Sequence, residues 1–434
     1  MVHEEEPIVL DRLRVEFDDE RAVANAGLLL PATLAGRLGI EQLVNETVDL
    51  SGRPGGARPG RKVLTLCHAM QLGADSIDDC DLLRAGRTGL VLGQGVLAPS
   101  TLGTFLRAFT FGQVRQLDRV LAESLRRAWQ AGAGPGCERL VVDLDSFVGE
   151  VHGYAKQGAA YGYTRELGYH PLLATRAGTD ETLHVRLRKG SANTQRGAER
   201  FVDELIARVR RAGAEGEILL RADSGFWNKK ITASLRRKGC LYSIGVRVTK
   251  PVAAAIEAIP DEAWLRLDDY PATGEAQIAE TTFGEDRLIV RRVRTLDDQQ
   301  QLFATWQHFA FISNREQPLD LVEREHREHA VIELVIRDLK DQALRHFPSG
   351  RFNANAAWTV IACLAHNLLR WSELLGPPQA PPLRARTLRR RLLQLPGRLT
   401  RSARRWTLHL PARWPWRNDY LAALARIRAL AAAG

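Results

Sequence analysis

The chain has 434 residues, 45% of them hydrophobic and 26% charged, with a net charge of +10, a soluble globular composition long enough for two or three domains. Its longest apolar stretch, residues 356–369, is broken by Thr359, His366 and Asn367, which excludes a bilayer span. The acidic start His3-Glu4-Glu5-Glu6 lacks the order of a secretion signal, and Cys67, Cys80, Cys137, Cys240 and Cys363 form no CxxC pair, so a soluble protein of a reducing cytoplasm is expected.

The charge is uneven. From residue 347 onward there are fifteen Arg, no Lys and two acids, a net of +13, which leaves the remainder near −3. A near-neutral body with a strongly basic tail implies a polyanionic partner, nucleic acid first.

In chain order, residues 1–135 have the apolar spacing of helices over 31–44, 61–72, 100–108 and from Gly112 through Ala131. The break at 95–99 before Ser100-Thr101-Leu102, with Arg107 and Arg115 nearby, resembles the turn ahead of a recognition helix, although a plain helical bundle fits equally. Gly132-Ala133-Gly134-Pro135-Gly136 marks a domain boundary. Short β-rich runs follow at 140–146, 169–176, 183–188, 217–222 and 241–248, with helical runs at 195–212 and 226–238. That is a mixed α/β layer around one sheet. Residues 249–318 have the alternation of a β-rich insertion, with strands at 276–283, 287–293 and 309–313. A long helix is predicted over 319–345 and another over 356–375. The proline run at 377–382 then opens an arginine-rich tail, 376–434, expected to be helical. The expected division is therefore 1–135, 136–375 with the insertion, and 376–434.

Two carboxylates fall at strand ends. Asp145 closes the run from Leu140, and Asp223 stands in Arg221-Ala222-Asp223-Ser224-Gly225-Phe226. Strand C-terminal ends form the ligand-binding rim of open α/β sheets. Gly225 suits a sharp turn there, and Asp143, two residues before Asp145, shares its strand face as a rival or supporting acid. In the following helix, Ile332, Val335, Ile336 and Leu339 form a buried stripe, while His326, His329, Glu333, Arg337 and Lys340 step along a neighbouring line.

Asp145-Ser146, the Asp223 motif, and Glu333 followed seven residues later by Lys340 resemble the DDE transposases of bacterial insertion sequences. The family designated thirteen-eighty is the nearest in pattern, and Tyr169-His170-Pro171-Leu172-Leu173, residues 187–192 and Ser100-Thr101-Leu102 also match it. The resemblance implies a ribonuclease-H-like core and a catalytic triad of Asp145, Asp223 and Glu333. It further implies two Mg²⁺ or Mn²⁺ ions, and cleavage and transfer of DNA strands by a cut-and-paste route, with a hairpinned DNA end as one form of it. The implied partners are the element's inverted repeats, target DNA and a second copy of the chain, in a bacterial cytoplasm. Where the family has Tyr and Arg, seven and four residues before the Glu, this chain has His326 and His329. Those histidines, with Arg337, Lys340, Arg107, Arg389, Arg390, Arg404 and Arg405, are the expected DNA contacts, and Trp264 and Trp306 are candidates for stacking a base. A non-catalytic DNA-binding descendant, or a nuclease that does not join strands, remains open at this stage.

Overall fold

A computed structural model describes residues 10–433, apart from 154, 163–164, 269, 272–273, 296–305 and 377–380. The acidic start at 3–6 and most of the proline run at 377–382 lie outside the described residues. After a two-residue strand β1 (Ala22–Val23), helices α1 (Leu29–Arg37) and α2 (Ile40–Thr47) replace the single helix expected over 31–44. Gly39 between them has φ +63, a left-handed conformation that ends a helix and that glycine adopts without strain. Helix α3 (Pro59–Gln71) starts on proline. So does α4 (Pro99–Arg107), while α5 (Phe111–Ala128) opens with a capping box between Thr110 and Gln113.

The sheet then assembles around β2 (Leu140–Ser146). Strands β3 (Leu172–Arg176) and β4 (Thr182–Arg186) fold back on it antiparallel. Helix α6 (Ala198–Ala212) carries the chain across to β5 (Ile218–Ala222), and α7 (Lys229–Arg237) to β6 (Leu241–Val246), both running parallel to β2. The order β4-β3-β2-β5-β6, with two antiparallel and two parallel pairings, is the ribonuclease-H-like arrangement.

The insertion begins with α8 (Lys250–Glu257) and continues through β7 (Leu265–Arg266), β8 (Gly274–Phe283), β9 (Asp286–Thr295) and β10 (Gln307–Ser313). It prolongs the same sheet rather than forming a second one, because β10 pairs with β6 and brings the described total to nine strands. Arg292 lies between the indoles of Trp264 and Trp306, at 4.0 and 4.6 Å from their ring centres. Trp264 is itself buried.

The chain returns across the sheet as α9 (Leu319–Arg327), a tight turn at 328–331, and α10 (Ile332–Leu339). The helix expected over 319–345 is thus interrupted. Helix α11 (Phe352–Leu374) is buried from Ala354 to Glu373, and it packs against α3, α5 and β4. A helix covered on every side has no reason to be polar on one, which explains its nearly unbroken apolar run. The apolar core is continuous from the first helices through the sheet and α11 into the tail.

The tail is not helical throughout. Strands β11 (Gly397–Ser402) and β12 (Arg405–His409) form a hairpin, which β1 joins, before α12 (Arg417–Ala429). Leu399, Trp406 and Leu408 alternate with polar residues, a two-residue period that the surrounding arginines hide. Leu388, Leu393, Tyr420, Leu424 and Ile427 are buried in the main core. Arg384 lies 3.0 Å from Asp180, and Arg389 lies 3.1 Å from Asp341. Part of this basic segment therefore serves packing, and removing it whole would expose core.

Candidate active site

Strands β2, β5 and β6 run parallel with Leu144 beside Ala222 and Ala222 beside Ile244, so their C-terminal ends share one rim. Asp145 sits there, and Asp223 is the next residue after β5. The Asp223 carboxylate accepts the Gly225 N–H at 3.0 Å and caps the turn Ser224–Phe226. Gly225 is needed for space rather than conformational freedom: a Cβ there would lie 3.0 Å from Thr194. Gly245 on β6 is tighter, since a Cβ would lie 2.8 Å from the Ser224 nitrogen. Two glycines thus let β6 and the segment at Thr194 close on the Asp223 turn.

Asp143 has a different place. Its carboxylate is buried and takes two hydrogen bonds from Arg221, from Nε at 2.7 Å and Nη2 at 2.8 Å. The remaining contact is His329 Nδ1, 3.0 Å from Oδ1. Both oxygens are committed to a forked ion pair beneath the rim, which leaves the half-buried Asp145 as the more accessible member of the strand pair. Arg221 also hydrogen-bonds the Glu325 carbonyl, so the same guanidinium ties α9 to the sheet.

The two histidines separate. His326 was expected to hold phosphate as a cation, but its Nδ1 lies 2.7 Å from Ser243 Oγ and its ring stacks on Phe311 at 3.9 Å. Part of its surface still meets solvent, yet burial of the ring pulls its pKa down to about 3 and holds it neutral. His329 instead stands among the acids, bound to Asp143 and lowering the pKa of both Asp145 and Asp223 by its charge when protonated.

Glu333 is exposed in the first turn of α10, with Arg337 exposed one turn on. Lys340, past the helix end, lies 5.6 Å from the ring of Phe147, just beyond Asp145. The Asp145 carboxyl is pushed up to about 6, first by burial and then by the charges of Asp223 and Glu333, against the Ser146 N–H and His329. Asp223 is open to solvent on one side, but burial of the other raises its pKa too. Asp145 meets the charges of both Asp223 and Glu333, and carboxylates gathered in this way form a donor set suited to a hard divalent cation.

A folded-state pKa above the unfolded value means that Asp145 favours the fold at low pH, and that this contribution is lost as pH rises through about 6. Asp145→Asn is therefore expected to raise the melting temperature of the metal-free protein increasingly between pH 4 and 7, as followed by scanning fluorimetry. A difference between the two proteins that does not change with pH would contradict the burial of the Asp145 carboxyl beside other acids.

A family profile described as "Transposase DDE domain group 1" matches residues 6–432, nearly the whole chain. The chain belongs to the DDE transposases. No curated protein sequence matches it significantly. Among solved structures, the piggyBac transposase in a synaptic complex with hairpin DNA is similar at a TM-score of 0.46 and 14% identity, over 85% of this chain and 80% of that one. The transposase is accordingly a DNA-cleaving enzyme of a class that uses divalent metal ions.

The transposase gathers another acid and histidine group in Asp118, His184 and Glu204, whose donor atoms lie within 4.8 Å of one another. Its carboxylates are already taken by guanidinium groups: Arg208 and Arg115 on Asp118, and Arg115, Arg186 and Arg200 on Glu204. Four arginines around two acids repel a cation, so this cluster is an ionic brace between α5, β4 and α6. The remaining sequence candidates divide. Arg389 is buried and bonds the Gln71 carbonyl at 3.1 Å as well as Asp341, so it does not face DNA. Arg107, Arg390, Arg404 and Arg405 are exposed, the last two at the hairpin turn. Sequence reasoning missed the Arg221–Asp143 pair, although adjacent parallel strands with the same residue parity could have suggested it.

Proposed function

We propose that Asp145, Asp223 and Glu333 are the catalytic triad of this transposase and hold two divalent ions, Mg²⁺ or Mn²⁺. The observation that carries the reading is the placement of Asp145 and Asp223 at the C-terminal rim of β2 and β5, with Glu333 of α10 near enough for its charge to raise the Asp145 pKa. Bound divalent ions would supply charge that activates the attacking oxygen and stabilises the leaving one. The chain's own residues do the rest. Asp143, locked by Arg221, holds His329 beside the acids. Arg337 and Lys340, one and two turns beyond Glu333, offer cations to the DNA backbone entering the rim.

The substrate is the double-stranded DNA of the element that encodes the chain, an insertion sequence of the thirteen-eighty family. Its terminal repeats are cut and joined to target DNA by a cut-and-paste route in the bacterial cytoplasm, with the enzyme acting as a homodimer. Residues 1–135 form the end-recognition region, 136–375 the catalytic unit, and 376–434 a basic accessory segment. The histidine departures do not favour a decayed site, because His326 is held by Ser243 and Phe311 and His329 is engaged with Asp143. A strand-transfer assay with Mg²⁺, a labelled element end and a plasmid target tests the reading. Joined products support it; DNA binding without cleavage, or cleavage without joining, would replace it with one of the two other readings.

Arg404 and Arg405 make a narrower test of the accessory role. Each phosphate contact contributes roughly 0.9 to the log–log salt slope on duplex DNA, so Arg404→Ala with Arg405→Ala should flatten the slope by about 2 units. The loss of affinity should be the same for element ends and random DNA, as measured by fluorescence anisotropy. An unchanged slope would remove the hairpin from the DNA surface.

A further inference from the structure

Residues 13–19, just ahead of β1, belong to no helix or strand, yet they have the pattern of a strand. Leu13, Val15 and Phe17 are 55%, 73% and 104% exposed. Arg14 and Glu16 pair with each other at 2.5 Å, which puts the charges on one side and the three apolar residues on the other. A fully solvated Phe beside a solvated Val and Leu is an apolar face without a cover.

The same chain offers a matching receptor. In the sheet β1-β11-β12, the outer edge of β12 has no partner strand among the described residues. Beside it lies a hollow of about 330 Å³ lined by Leu395, Leu408, Leu410, Trp414, Tyr420 and Leu421. Leu421 is 47% exposed. The charges are complementary as well. Residues 13–20 carry Glu16, Asp18, Asp19 and Glu20 against the single Arg14, an acidic excess, while Arg404, Arg405, Arg413 and Arg417 are exposed around the receptor.

The segment does not reach this edge within its own chain. The Asp19 carbonyl accepts the Ala22 N–H at 3.2 Å, and its carboxylate takes the Arg21 N–H at 2.8 Å and lies 3.6 Å from Arg398. These contacts fix Asp19 at the β1 side of the sheet. Three strand spacings, about 14 Å, separate that side from a strand added outside β12. Phe17 is two residues from Asp19 and spans about 7 Å at most.

We propose that residues 13–17 are a donor strand that a second copy of this chain receives on the free edge of β12, with Leu13, Val15 and Phe17 seated in the neighbouring hollow. Strand addition uses the backbone groups an open edge leaves unpaired. Exchanged reciprocally about a two-fold axis, it closes a dimer with two such interfaces. The inference does not depend on the catalytic assignment.

The test uses DNA-free full-length protein in sedimentation and light-scattering experiments. A donor-defective protein carries Leu13→Ser, Val15→Ser and Phe17→Ser, and an acceptor-defective one carries Leu421→Glu at an already exposed position, with circular dichroism reporting the fold of each. Wild type should be dimeric at micromolar concentration, and each variant should weaken the dimer at least tenfold. Mixing the two should restore a heterodimer, because that pair keeps one intact donor facing one intact acceptor. A monomeric wild type, a donor-defective protein that dimerises unchanged, or a mixture that stays monomeric would each overturn the proposal.

Discussion

Asp223→Ala should lower metal-dependent DNA cleavage by roughly 10³-fold or more, about 4 kcal/mol of barrier, while DNA affinity stays within about twofold. The separation follows from where the charges are. Asp223 stands at the open rim with its carboxylate on the Gly225 N–H, whereas Arg404 and Arg405 are exposed on the hairpin of the tail. Losing one acid removes a cation ligand at the reacting centre without touching that basic surface. Asp145→Ala and Glu333→Ala should behave alike, and circular dichroism should find all three folded, since none of these carboxylates joins an ion pair in the core. Cleavage is read from a labelled element end with Mg²⁺, and affinity from anisotropy in Ca²⁺. Full cleavage by the Asp223 variant would remove it from the triad.

Asp143→Ala should fail for a different reason. Its loss strands Arg221, 2% exposed, whose Nε and Nη2 have no other acid so close. Breaking a buried ion pair on one side costs about 3–5 kcal/mol, a large share of the 5–15 kcal/mol that holds a typical domain together. Denaturant titration should show this loss for Asp143→Ala and no such loss for Asp145→Ala, because the Asp145 charge itself disfavours the fold near neutral pH. If the Asp143 variant kept wild-type stability and lost only cleavage, Asp143 would be the metal ligand and Asp145 its neighbour.

The core strands were legible in the sequence because each is bounded by polar residues or glycine and has its own period. The strand-end position of Asp145 and Asp223 was visible for the same reason. The Glu333 helix was also visible, through the stripe Ile332, Val335, Ile336 and Leu339. What the sequence concealed depends on partners distant along the chain. The roles of Asp143 and Arg221 depend on the register of β2 against β5. The inward turn of His326 depends on Ser243 and Phe311, which lie on neighbouring strands of the same face. The hairpin at 397–409 was obscured because its arginines dominate the composition while only three apolar residues carry the strand period. Arg389 shows the limit of counting charge: it lies in the most basic stretch of the chain and is spent on Gln71 and Asp341.

The most direct test is where the metal binds. Diffraction from Mn²⁺-soaked crystals at a wavelength that maximises manganese anomalous scattering locates the ions without reference to activity. Anomalous peaks bounded by Asp145, Asp223 and Glu333, absent in the Asp223→Ala protein, are the result predicted here. Peaks at Asp118, His184 and Glu204 with none at the strand rim would contradict the assignment of the active site.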